Sequence, residues 1–331
     1  MDATKPSYYD RFRCLASACP DSCCKEWDVD VDEAAAARYR ALTGPLGDRL
    51  RQVLRDTPWG VQMAAENGRC PMWRADGLCR IQAELGEAAL CRVCREFPRL
   101  RHDYGDFLEL GLELSCPEAA RLILTAPAAA AVRFTLPGGE APEYDPADMA
   151  VLKQSRARAL EVLAKWEPGQ ALALLLFCGA WAQQGLDAGA LGEFDPAAVL
   201  ETAGAMAQPP DRAGFFRFFR ELEILTPRWA ALLEAPAPTR LPPEAAALAR
   251  YLAERYWLQA ISDFDIMGRA KFIVIACLLV GSLGGSFTEN AQLFSKEIEN
   301  DADNVDALLD AAAENRAFTD ARLLGMLEGL K

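Results

Sequence analysis

Nine of the eleven cysteines fall within the first 116 of 331 residues: Cys14, Cys19, Cys23, Cys24, Cys70, Cys79, Cys91, Cys94 and Cys116. Thiolates are ligands for soft metals, so this spacing is the first chemistry the chain offers. Cys14, Cys19 and the Cys23-Cys24 pair put three thiols within about ten residues, close enough for one loop to wrap a metal. Cys91 and Cys94 share a face if the segment is helical. Cys70 and Cys79 bracket a turn. Cys116 precedes Pro117, where the positive end of a starting helix favours thiolate over thiol and offsets the charge of a thiolate-ligated cluster. Arg92, Arg95 and Arg99 act in the same direction. Neighbours such as Cys23 and Cys24 point to opposite sides of an extended chain, which suits two centres, or one centre and one packing role.

With a single histidine, His102, in the whole chain, any metal site here is essentially all sulfur. That describes an iron-sulfur cluster, and equally a zinc ion held by four thiolates; spacing alone does not separate them. His102 itself reads as an ordinary surface or core histidine. Cys178 and Cys277 stand apart in apolar helical stretches and read as core filler. No C-x3-C-x2-C triplet and no G-x-G-x-G after a strand are present, so neither a radical-SAM loop nor a Rossmann methyltransferase domain is indicated. The CRVC pair lacks the βαβ setting of a dithiol redox motif.

The elements that must position these thiols change character near residue 125. The expected fold is mainly α: a cysteine-rich metal-binding module with a small β-hairpin over 1–125, then a helical bundle over 126–331 packed against it. In the first part Asp32 caps a helix through Arg40, Leu46 to Leu54 forms another, and Asp76-Gly77 marks a turn. Leu78 to Leu85 and Glu87 to Glu96 read as short helices split by Gly86. Arg99 to Asp103 pairs across Tyr104-Gly105 with the alternating strand Phe107 to Leu114. Pro117 starts a helix to Leu124. The Pro- and Gly-rich stretch Pro127 to Pro146 reads as a linker. Helices follow at 146–166, 169–184, 196–206, 211–224, 243–260, 265–282, 288–299, 303–314 and 318–329.

A net charge of −13 repels phosphate backbones and anionic lipid headgroups, which argues against nucleic acid and membrane partners. The apolar run Phe272 to Gly284 falls short of the roughly 20 residues a membrane span needs and reads as a buried helix. Met1 to Arg13 lacks the apolar stretch of a secretory signal, so a reducing, cytoplasmic setting is expected, in which disulfides are a poor account of the cysteines.

The strings RCLASACPDSCCKEWDVDVD (Arg13 to Asp32), CPMWRADGLCRIQAELG (Cys70 to Gly86), CREFPR (Cys94 to Arg99) and LSCPEAARLIL (Leu114 to Leu124) resemble, in order, the motifs of the flagellin lysine-N-methylase family. The resemblance covers about residues 8 to 125. Beyond it only fragments such as FSKEIEN (Phe294 to Asn300) are similar. It implies methyl transfer from S-adenosylmethionine to surface lysines of flagellin, by a protein carrying a [4Fe-4S] cluster. The cysteines that match are Cys14, Cys19, Cys23, Cys24, Cys70, Cys79, Cys94 and Cys116, and Cys91 matches no motif position. Eight thiols exceed the four of one cluster, so either a second centre exists or some of them only pack.

For such a reaction Trp27, Trp73 and Phe97 could wall a sulfonium by cation–π contact, and Arg95 and Arg99 could grip the cofactor carboxylate. Core packing and pairing with Glu96 or Asp103 would explain the same residues. Tyr8, Tyr9, Tyr104 and Glu118 are unranked candidates for a base. The acidic surface would help a lysine-bearing partner approach. Two rivals stand beside this reading: a non-catalytic zinc- or cluster-binding adaptor, and a redox or electron-transfer protein.

Overall fold

Proline and short polar residues start most helices of the second half. Pro146, Pro168, Pro196 and Pro227 each occupy a first helical turn, where the missing N–H costs nothing. Asp145, Asp195, Asp211, Thr226, Asp265, Ser286 and Asp301 each accept a backbone N–H from the turn they precede. The resulting helices include Pro146–Lys165, Pro168–Ala188, Pro196–Met206, Arg212–Glu221, Pro227–Glu234, Glu244–Tyr256, Ile266–Gly281, Phe287–Phe294 and Ala302–Glu314. The computed structural model describes residues 1–126 and 131–327. The start of the expected linker, 127–130, and the end of the expected last helix, 328–329, lie outside the described residues; within them that helix is Asp320–Leu324.

The chain divides into two compact units. One, the cysteine unit, comprises Arg11–Leu100 and Cys116–Ala119. The other, the helical unit, comprises Met1–Asp10, Arg101–Ser115 and the described part of 120–331. The cysteine-bearing unit thus spans 11–100 and 116–119 rather than all of 1–125.

In the helical unit, Pro168–Ala188 and Ile266–Gly281 approach so closely at Gly179 that a Cβ there would stand 2.3 Å from the Ala270 Cβ. Ile266–Gly281 is buried almost throughout, which accounts for its near-continuous apolar sequence. Among the described residues no helix is long and apolar enough to cross a membrane. A four-stranded sheet runs in the order Arg99–Asp103, Phe107–Leu112, Asp2–Lys5, Val132–Thr135. Asp2–Lys5 pairs parallel with Phe107–Leu112 and antiparallel with Val132–Thr135, so the expected hairpin is part of a larger sheet. At its turn, Tyr104 N–H donates to the Phe107 carbonyl and Gly105 takes φ +87°.

Two sets of charges are buried in the helical unit. Arg156 grips Glu109 bidentately at 2.6 and 2.7 Å. Arg255 meets Glu299 at 3.1 Å and donates to the Tyr251 hydroxyl at 2.7 Å. Tyr251 in turn donates to Glu299, which lies on the π-helical turn Ser295–Glu299.

Burial pushes the Glu254 carboxyl up to about 7; Arg250 and Arg156 draw it down, and Glu109 adds to the rise. The fold therefore holds the Glu254 proton more tightly than the unfolded chain does, and stability is lost as pH rises from the ordinary carboxylate range through about 7. Glu254→Gln removes that loss. Urea unfolding at pH 8 should show the variant more stable by about 1–3 kcal/mol, with the two proteins converging near pH 4.

The cysteine unit has its own small core. The strands Val29–Val31, Gly60–Met63 and Leu54–Thr57 form an antiparallel sheet with Gly60–Met63 in the middle. Helices Glu33–Ala41 and Gly44–Val53 contribute Ala35, Tyr39, Leu46 and Leu50 to the core.

Candidate functional site

Most of the thiols are carried by loops and helix starts, and Cys94 lies within the short helix Arg92–Glu96. Cys14 and Cys19 flank the 3-10 turn Ala16–Ala18, where the Ala16 amide donates to Cys14 Sγ at 3.4 Å. The Cys19 thiol donates to the Asp21 carbonyl at 3.2 Å. Gly77, at φ +81°, sits where a Cβ would lie 3.3 Å from Ser17 Cα, so the Asp76-Gly77 turn can close against the Cys14–Cys19 loop. The Cys70 amide donates to the Cys24 carbonyl at 2.8 Å and the Arg80 amide to the Met72 carbonyl at 2.7 Å, which fixes both ends of the Cys70–Cys79 excursion. Cys79 is the N-cap of Arg80–Leu85, Cys91 is the N-cap of Arg92–Glu96, and Cys116 directly precedes Pro117–Thr125.

Asp32 couples two of these elements. One carboxylate oxygen accepts the Ala35 amide at 3.0 Å, capping Glu33–Ala41, and the other accepts the Arg92 amide at 2.7 Å. Asp32→Ala should cost about 1–2 kcal/mol by chemical denaturation. The expected helix over Glu87 to Glu96 is divided, into a 3-10 turn Glu87–Ala89 and the helix Arg92–Glu96, and that break is what lets Cys91 stand at a helix start.

All nine thiols belong to the cysteine unit, and several of them shift one another's pKa. A hydrogen bond with Cys24 makes Cys23 hold its proton, reinforced by burial and by the sulfurs of Cys24, Cys14 and Cys116. The same bond draws Cys24 down to about 7. Cys94 and Cys91 form a like pair: Cys94 is raised and Cys91 is drawn down to about 7. Burial lifts Cys116 to about 11, its neighbours Cys19 and Cys14 adding to the rise while the amides of Ala119 and Glu118 oppose it. Those amides act as the sequence suggests for a helix start, but burial outweighs them and Cys116 keeps its proton rather than favouring thiolate. Burial likewise raises Cys70, to about 12, and Cys79, with Cys24 and Cys91 adding to each. Among the described residues no three His, Cys, Asp or Glu side chains are arranged to hold one metal ion. The donors are therefore gathered and all sulfur but not converged; two thiol pairs bond each other instead.

Of the five residues that could meet a cofactor, Trp27, Trp73, Arg95 and Arg99 are engaged. Trp27 donates its indole N–H to the Cys23 carbonyl at 3.1 Å. The Trp73 ring lies under Lys25 at 5.5 Å and Arg69 at 4.8 Å. Arg95 stands 3.8 Å from Glu96, and Arg99 stacks on Phe12 at 5.5 Å. Cys178 and Cys277 are fully buried, as core filler would be.

The helical unit holds a feature that spacing did not signal, a cavity of about 810 Å³ lined by His102, Tyr104, Glu140, Tyr144 and Gln259, among others. Burial lowers the His102 pKa and raises that of Tyr104, so both are neutral near pH 7. The His102 Nε2 is buried without a hydrogen-bond partner. The strand partner Val132–Thr135, which brings residues of this wall together, is hidden in sequence by its Pro- and Gly-rich surroundings.

Neither a family model nor a solved structure matches the chain. Three curated proteins do. The chain is 34% identical over 142 residues to a lysine-N-methylase of Salmonella typhimurium and 33% identical over the same length to one of Salmonella choleraesuis, in each case 40% of this chain and 35% of the relative. It is 34% identical over 142 residues to the flagellar biosynthetic protein FliU of Salmonella muenchen, covering 82% of that protein. The chain thus spans about a third of the lysine-N-methylases it matches and most of FliU. On that coverage and the ordered cysteine motifs, the chain belongs to the flagellin lysine-N-methylase family.

Proposed function

We propose that this chain is a protein-lysine N-methyltransferase that moves a methyl group from S-adenosylmethionine to lysines of flagellin and carries a [4Fe-4S] cluster. The observation that supports it most is the gathering of nine thiols in one small unit of a chain whose relatives are named lysine-N-methylases.

The donor chemistry fits an iron-sulfur centre, since the gathered donors are thiols and the one histidine of the chain, His102, belongs to the other unit. The thiols open to solvent are Cys14, Cys23 and Cys94, with Cys19 and Cys116 partly covered. These five are the ligand pool for the cluster, because a centre that meets a cofactor cannot be sealed inside an apolar core. When bound, the cluster supplies an iron able to anchor the amino-acid end of the cofactor, or a rigid wall beside it.

The rest falls to side chains. A lysine ammonium with a pKa near 10.4 carries no lone pair, so the pocket must disfavour its charged form before nitrogen can attack the sulfonium methyl. Trp27, oriented by the Cys23 carbonyl, lies beside the pool and offers a ring face to the sulfonium. Trp73 already attracts two cations, so a sulfonium would displace Lys25 or Arg69 there. The Arg95–Glu96 contact is long and exposed, which leaves Arg95 able to turn to a carboxylate.

The test is anaerobic incubation of the iron-loaded chain with flagellin and methyl-labelled S-adenosylmethionine, read by mass spectrometry of flagellin peptides. Label on lysine is the expected result. Iron-loaded protein that binds no S-adenosylmethionine and transfers no label would leave the adaptor reading in its place.

A further inference from the structure

The nine thiols do not form one group. Cys70 and Cys91 belong to the apolar core of the cysteine unit, and Cys24 and Cys79 pack against it; the other five do not. Cys70 and Cys91 are only 8% and 2% exposed. The backbone ties the four together, since the Cys70 amide donates to the Cys24 carbonyl and Cys79 is bridged to Trp73, three residues beyond Cys70. Electrostatic reach follows the same division: Cys70 feels Cys24, Cys79 and Cys91, and Cys79 feels Cys24 and Cys91. Cys19 feels Cys14, Cys116 feels Cys19 and Cys14, and Cys23 feels Cys14 and Cys116. The two groups meet at the adjacent Cys23 and Cys24 and at Cys91 and Cys94.

We propose that Cys24, Cys70, Cys79 and Cys91 hold a second metal centre, a closed four-thiolate site of the kind structural zinc takes, separate from the iron-sulfur centre. A lone buried cysteine packs as a small hydrophobe, and Cys178 and Cys277 do so. Two thiols in the core of a unit this small, with two more packed against it, are another matter. Apolar side chains would fill the same volume without polar atoms, and the Cys70 thiol donates to the Met63 thioether, a weak acceptor, at 3.7 Å. Four thiolates with no exchangeable position match a structural zinc site, whereas the exposed pool suits a centre that must be reached. Since no three side chains among the described residues are now arranged around one ion, ligation requires the sulfurs to turn about χ1, each ligating thiol releasing its proton to solvent. The proposal makes Cys91, which no family motif assigns, a ligand.

It rests on the proposed function only in giving the exposed thiols to the other centre, and its test is independent of methyl transfer. The whole chain, purified anaerobically, is assayed for zinc, iron and acid-labile sulfide, and its thiols are alkylated under native conditions and mapped by mass spectrometry. One zinc per chain is expected beside the iron. Cys24, Cys70, Cys79 and Cys91 should resist alkylation until a zinc chelator is added and then react together, with iron unchanged. Cys91→Ser should lose the zinc and keep the iron and sulfide. Should that variant fail to fold, the alkylation map of the unaltered protein decides. Metal at one centre only, or iron in both, overturns the proposal. A chain that methylates flagellin but holds no zinc sinks this inference alone, and one that holds zinc but transfers no methyl group sinks the function alone.

Discussion

Arg255→Met should destabilise the helical unit by about 3–5 kcal/mol, because it strands a buried carboxylate. The Glu299 side chain has no exposure to solvent, and the Arg255 side chain is only 12% exposed. With the guanidinium gone, Glu299 keeps the hydroxyl of Tyr251 as a donor but no counter-charge. Tyr251 also loses the donor at 2.7 Å that holds its ring in place beneath the Leu114 amide. The double change Arg255→Met with Glu299→Leu should recover most of the loss, since removing both charges leaves nothing uncompensated. Urea unfolding of the four proteins of that cycle gives the coupling. A single-variant loss below about 1 kcal/mol would show that water reaches Glu299 and that the pair is not sealed.

Cys23→Ser should lower methyl transfer by more than about 100-fold and reduce bound iron, with a much smaller effect on folding, because loss of a ligand exceeds the 10–100-fold typical of a supporting residue. Cys23 is open to solvent, yet it shares a hydrogen bond with Cys24 and lies in reach of Cys14 and Cys116, so it is the most connected member of the exposed pool. Cys178→Ser is the contrasting variant. It places a hydroxyl in the fully buried face of Pro168–Ala188 and should cost about 1–3 kcal/mol of stability while leaving iron content untouched. If Cys23→Ser keeps its iron and its activity, the exposed thiols are not the ligand pool.

Where local chemistry decides structure, the sequence was easy to read. The Asp32 cap, the Asp76-Gly77 and Tyr104-Gly105 turns, and the long helices begun by Pro or Asp all lie close to their expected places. What escaped were elements held by partners distant in sequence. Asp2–Lys5 reads DATK, with no alternation to mark a strand; only its pairing with Phe107–Leu112 and Val132–Thr135 makes it one. Leu54–Thr57 and Gly60–Met63 are four residues each, too short for a periodic signal. The helix Pro227–Glu234 is eight residues between prolines and passes for a loop.

The site divides in the same way. That nine thiols crowd one stretch of chain is legible in the sequence; the expected convergence is not, since among the described residues no three are arranged around one ion. The split between the neighbours Cys23 and Cys24, of which only Cys24 packs against the core, follows from their adjacency, but that Cys70, Cys79 and Cys91 join it there was not legible.

The parallel pairing of Asp2 with Phe107 joins positions about a hundred residues apart, and nearly all the intervening chain belongs to the cysteine unit. An unstructured loop of that length is entropically dear to close, and a ribosome delivers the first strand long before its neighbour. If the cysteine unit folds first, its own ends meet and the free loop shrinks to a handful of residues, sparing about 2 kcal/mol of closure entropy. If the cysteine unit holds the proposed metals, starving growing cells of iron or zinc should delay maturation of the helices as well.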